Sequence, residues 1–110
     1  MRNGDHSFDP ERQRETRRMT KIFKALSDGT RQEILRILDT EKDRSVGEIV
    51  KNFSLSQPTI SRHLSVLKEA DLVTDERRGQ HVMYRLNADT LTASMREFFG
   101  QFRECQQALR

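Results

Sequence analysis

Cysteine occurs once in this chain, at Cys105, so no disulfide can staple the fold from within. No stretch approaches the roughly 18 consecutive apolar residues that a membrane helix needs. No basic segment leads into an apolar one at the N-terminus, as a secretory leader would require. A membrane span is therefore not expected, and a cytoplasmic location is. Apolar residues are themselves scarce, 34% of 110 positions against 34% charged. A chain of this length makes one domain with a modest core, and burial against a second copy would add to it. Enzyme chemistry also lacks its materials. Cys105 has no histidine patterned beside it, carboxylates are scattered over helix faces, and Gly79 stands alone rather than in a phosphate-cradling loop. No catalytic residue, cofactor or metal site is expected. The formal net charge of +3 and a sequence pI near 9.4 permit a polyanionic partner without demanding one.

What the chain does have is periodicity. Residues 1–11 are polar and broken by Gly4, Asp9 and Pro10, which predicts a flexible arm ahead of a single domain over 12–110. Arg12, Arg14, Arg17 and Arg18 alternate with Glu11 and Glu15 as the solvated face of a first helix. Met19, Ile22, Phe23 and Leu26 form its apolar stripe. Thr30 with Glu33 reads as a capping box for a second helix, whose apolar side is Ile34, Leu35, Ile37 and Leu38. Ser45 with Glu48 repeats the box before Val46, Ile49, Val50 and Phe53, a third helix.

The most informative stretch follows. Ser56 can cap a helix, Pro58 suits its first turn, and Ile60, Leu64 and Leu67 make one apolar stripe. Gln57, Thr59, Ser61, Arg62 and Ser65 fall on the polar side, with Ser56 at its start. One face is fit for burial, and the other is short, polar and arginine-bearing, as a helix lying in a DNA major groove requires. Gln57 has the donor and acceptor set for an adenine edge and Arg62 the fork for a guanine edge. His63, beside Ile60 and Leu67 on the wheel, reads as a partly buried packing residue.

After Asp71 the period falls from 3.6 to 2. Leu72 and Val73 lead into Thr74–Arg78, and Val82, Tyr84 and Leu86 alternate with Met83 and Arg85, around a Gly79-Gln80 turn. Arg77, Arg78, Gln80 and His81 tip this hairpin, where they can reach phosphates or a minor groove. Asn87 or Asp89 can cap a last helix. On it Leu91, Met95, Phe98, Phe102, Cys105 and Leu109 keep a 4-3-4-3-4 spacing, an a/d seam. With Met19 and Phe23 of the first helix, this seam is expected to hold a homodimer.

Four helices, a hairpin and a fifth helix make a mainly α winged helix-turn-helix. The chain resembles the ArsR/SmtB family of winged helix-turn-helix repressors. The residues that carry the likeness are Phe23-Lys24-Ala25-Leu26-Ser27-Asp28-Gly29-Thr30-Arg31, Ile34-Leu35-Arg36-Ile37-Leu38, Ser56 to Leu64, Leu67 to Val73, Arg78-Gly79-Gln80 and Tyr84-Arg85-Leu86. The resemblance implies a dimeric repressor on an inverted-repeat operator in double-stranded DNA. It departs from the family's metal-sensing branches: Val46-Gly47-Glu48-Ile49-Val50 stands where one branch has a cysteine pair, and residues 88–110 hold no histidine for the other. The likeness is thus to metal-independent members, including autorepressors. The competing reading is a winged-helix module whose same surface binds a protein or RNA. A protein-binding helix would more often present aromatics there.

Overall fold

Asp9 caps the first helix, α1 (Pro10–Leu26), its carboxylate accepting from Glu11 N, with Pro10 in the first turn where a missing N–H costs nothing. In this computed structural model, which describes residues 9–109, the helix thus begins two residues ahead of the expected boundary at 12. The rest of the proposed arm, residues 1–8, lies outside the described residues. The stripe of Met19, Ile22 and Ala25 is buried, and the arginine face is exposed.

The cap of α2 (Gly29–Glu41) is Asp28, not Thr30: its carboxylate accepts from Arg31 N at 3.1 Å. Asp28 is extended (φ −117°, ψ 132°), which a cap residue must be, whereas Thr30 is already inside the first turn. Glu33, freed from the expected box, pairs with Arg36. The second box does form. Ser45 Oγ accepts from Glu48 N and the Glu48 carboxylate accepts from Ser45 N, opening the short α3 (Val46–Val50). Helix α4 (Gln57–Glu69) starts at Ser56 and buries Ile60, Leu64 and Leu67 completely. It ends in a Schellman motif: Asp71 adopts φ +63°, its N–H reaches Lys68 O, and the N–H of fully buried Leu72 reaches Leu67 O.

The hairpin is β2 (Val73–Arg78) and β3 (His81–Leu86), antiparallel, with Arg78 opposite His81. Gly79 takes φ +61°, the left-handed turn position that explains a glycine there. A third strand, β1 (Arg44–Ser45), pairs with Tyr84 and Met83, giving the sheet order β1-β3-β2. Two residues are too few to show alternation, so β1 was not visible in the sequence. The core joins Ile22 and Ala25 to Ile34, Leu35 and Leu38, Ile49, the α4 stripe, Leu72 and Val73.

The last helix departs from expectation. Instead of one seam to Leu109, α5 (Ala88–Phe99), capped by Asn87, stops at Gly100, and α6 (Arg103–Ala108) follows. Glycine costs about 1 kcal/mol in a helix interior. Phe102 leaves the helical region (φ −119°, ψ 121°) and sets its ring edge-on to Phe98, 5.2 Å between centroids, a contact worth about 0.5–1.5 kcal/mol. Gln106 Nε2 donates to Gly100 O, which the break leaves without a helical partner. A Cβ at position 100 would lie 3.1 Å from Arg96 O, so a larger residue there would need that carbonyl to give by a few tenths of an ångström. These small terms suffice because the closing turns of a terminal helix are marginal.

Candidate nucleic-acid interface

The two faces of α4 divide as the wheel demands. Gln57, Arg62 and Ser65 are exposed, and Thr59 and Ser61 are half-buried beside the apolar stripe. The Ser56 and Thr59 hydroxyls are partly committed locally. Ser56 Oγ accepts from Thr59 N at 3.3 Å and bonds Thr59 Oγ1 at 3.0 Å, and Arg62 Nη2 lies 3.4 Å from that same Oγ1. Gln57 and Arg62 thus project most freely, above a 13-residue helix whose N-terminal N–H groups and positive dipole end suit phosphate.

The wing register separates its arginines. Residues 73, 75 and 77 share one face of β2, and 74, 76 and 78 the other. Asp75 takes Lys68 of α4 in an ion pair at 2.8 Å, so the face of Asp75 and Arg77 is the recognition-helix side. Arg77 is exposed and has no ion pair among the described residues. Arg78 is held elsewhere: Asp43, in the loop before β1, accepts from Arg78 Nη2 at 2.8 Å and from Arg85 Nε and Nη2 at 2.7 and 2.9 Å, and Glu76 adds a 3.1 Å contact to Arg78. Gln80 and His81 are exposed at the tip. Sequence reasoning missed Asp43. No local pattern marks it, since it lies outside every periodic stretch of the sequence.

Hydrogen bonds from Arg85, then Arg78, hold the Asp43 carboxyl far below the usual carboxylate range. An acid with a depressed folded pKa lends stability above its unfolded value of about 3.9 and loses it as pH falls through the folded value. The melting temperature of wild type should therefore exceed that of Asp43→Asn by a small, constant margin from pH 7 to about 4, narrowing only below that. A margin that closed by pH 5 would contradict the clamp.

The apolar seam is redistributed. Met19 is only 5% exposed, a core residue of its own chain, and Leu91 and Met95 pack partly against that core. Phe23 and Phe98 meet edge-on, centroids 4.7 Å apart, joining α1 to α5. Beyond them Phe99 (37%), Phe102 (45%) and Leu109 (60%) stay exposed. Cys105 is half-buried on α6 and carries a free thiol.

The sequence model for a bacterial regulatory protein, arsR family, matches residues 28–75, from the α2 cap through α4 into β2. The transcriptional repressor SdpR of Bacillus subtilis is 43% identical over 77 residues, 70% of this chain and 84% of that one. The chain belongs to the ArsR family. An arsenic resistance transcriptional regulator from Pseudomonas putida is also 43% identical, over 62% of this chain and 53% of its own. Among solved structures, an ArsR-like transcriptional regulator from a Rhodococcus species superimposes with a TM-score of 0.74 at 29% identity, covering 86% of this chain and 88% of that one. A homodimeric winged helix-turn-helix DNA-binding domain from Mycobacterium bovis gives 0.70 at 26% identity, over 79% and 81%. The fold is the ArsR winged helix-turn-helix, and the family is one of regulators rather than enzymes. No helix among the described residues is long and apolar enough to cross a membrane.

Proposed function

We propose that this ArsR-family chain is a cytoplasmic, homodimeric transcriptional repressor that reads an inverted-repeat operator in double-stranded DNA. The observation that carries the reading is the division of α4 into a fully buried stripe and a polar face from which Gln57 and Arg62 project. Exposed Phe99 and Phe102, at the end of α5 and the turn after it, support a homodimer, as does the homodimeric Mycobacterium bovis domain. Two recognition helices on a two-fold axis meet half-sites about one DNA turn apart. Selection of bound duplexes from a randomised pool tests this. An enriched inverted repeat with that spacing is expected; enrichment of no motif would refute sequence reading.

On the wing, Arg77 is the residue assigned to backbone or minor groove, with Gln80 and His81 beside it. Arg78 joins it only by leaving Asp43. Arg77→Ala should weaken binding to all duplexes alike and lower the salt slope by about 1. An unchanged slope with altered base preference would contradict that role.

No metal ion is proposed to act at the family's usual sites. Thiolate and imidazole sets of three or four are what such sites need. Helix α3 offers neither, and the last two helices offer only Cys105. DNA affinity should be unchanged by zinc, copper(I), arsenite or mild oxidant. A tenfold response that vanished in Cys105→Ser would make Cys105 a sensor instead.

A further inference from the structure

The α1–α2 junction is tied to the recognition helix by one guanidinium. Arg31 Nε donates to Ala25 O at 2.7 Å and Nη2 to Lys24 O at 3.0 Å, closing the carbonyl end of α1. Its third arm, Nη1, lies 3.1 Å from His63 Nδ1 on α4. Arginine can only donate, so His63 Nδ1 is the acceptor in this contact, with a ring proton on Nε2. Asp28 completes the junction, accepting from Arg31 N. The bonds to Ala25 O, His63 and Asp28 are part-buried, and the one to Lys24 O is exposed.

We infer that Arg31, acting through His63, is a positioning residue for sequence reading: it fixes the roll of α4 and so which side chains meet base edges. This rests on the proposed DNA-reading role of α4.

The physical need is specific. The back of α4 is held by Ile60, Leu64 and Leu67, all fully buried. Apolar burial is non-directional, so it holds the helix down without fixing small rotations about its axis. Bidentate base contacts, by contrast, require side chains placed within roughly 0.5 Å and 10–20° of their working geometry. The Arg31–His63 bond is directional, and it joins α4 next to Arg62. Its other end rests on two backbone carbonyls rather than on a mobile side chain. The other side-chain tie of α4 among the described residues, Lys68 to Asp75 of β2 at 2.8 Å, sits at the far C-terminal end of the helix, and Arg62 touches only Thr59 of its own helix. Phosphate contacts depend far less on roll, because charge attraction tolerates shifts that a paired hydrogen bond does not.

The test separates reading from mere binding. Affinity would be measured for the selected duplex and a scrambled one, across salt, for wild type, His63→Leu, His63→Asn and Arg31→Lys, each verified as folded by circular dichroism. Asparagine places an oxygen where Nδ1 was, so it restores the acceptor. Lysine cannot span the two carbonyls and the ring together. His63→Leu and Arg31→Lys should lose about tenfold or more in selectivity while binding the scrambled duplex with wild-type affinity and salt slope. His63→Asn should stay near wild-type selectivity. In the free protein, the nitrogen-15 shift of His63 Nδ1 should mark it as unprotonated and hydrogen-bonded. The inference is overturned if His63→Leu keeps wild-type selectivity, if it loses both duplexes equally, if asparagine fails to rescue, or if Nδ1 carries the proton. If wild type itself does not discriminate between the duplexes, the DNA-reading proposal fails first and takes this inference with it.

Discussion

A Phe98→Glu variant is expected to sediment as a monomer at micromolar concentration and to lose operator binding. Phe98 is the hub of the aromatic cluster: Phe23 packs edge-on at 4.7 Å and Phe102 at 5.2 Å, and Phe99 lies tilted at 6.2 Å. A carboxylate buried there without a partner costs about 3–5 kcal/mol. Two-fold symmetry places one in each chain. Loss of the dimer would leave each recognition helix to hold a single half-site without the gain in effective concentration that a linked pair provides. Because Phe98 also ties α5 to α1 within one chain, Phe102→Glu is the companion variant. At 45% exposed, its side chain is largely free of its own core. It should stay folded by circular dichroism, with any change confined to the α5–α6 turn, and still shift the mass. Both variants remaining dimeric would place the interface elsewhere.

Arg62→Ala is expected to cost about 1–3 kcal/mol against the selected site and to relax base preference at one position of each half-site. The arginine is exposed and makes no ion pair among the described residues. Its removal therefore leaves no buried group unpaired, and folding stability should hold. The loss should appear in the ratio of selected to scrambled affinity more than in scrambled binding itself. Unchanged affinity and preference would remove Arg62 from the reading face.

The residues that the sequence exposed best were those whose signal is local. The stripe of Ile60, Leu64 and Leu67, the Ser45–Glu48 box and the Gly79 turn each depend on neighbours within a few positions, and each formed as patterned. The misplacements came from competition between local signals and distant contacts. Thr30 with Glu33 satisfied the box pattern, but Asp28 lay two residues earlier, with an equally good acceptor and extended backbone. The seam through Phe102, Cys105 and Leu109 counted spacing correctly. It could not weigh a glycine at position 100 against an aromatic contact that forms only when Phe102 turns back on Phe98. Asp43 was silent because its partners, Arg78 and Arg85, are 35 and 42 residues away. His63 was read as packing and does sit half-buried, but its partner on α2 is 32 residues distant and no periodicity announces it. Contacts of this range are set by topology, which a helical wheel does not contain.

The most direct measurement is a backbone amide shift titration of the full chain with the selected duplex. Shifts should concentrate at the N-terminal half of α4, residues 56–65, and at the wing tip, residues 77–81, while the basic face of α1 around Arg12, Arg14 and Arg17 stays near its free position. Shifts centred on α1, with α4 and the wing unmoved, would contradict α4 as the reading element.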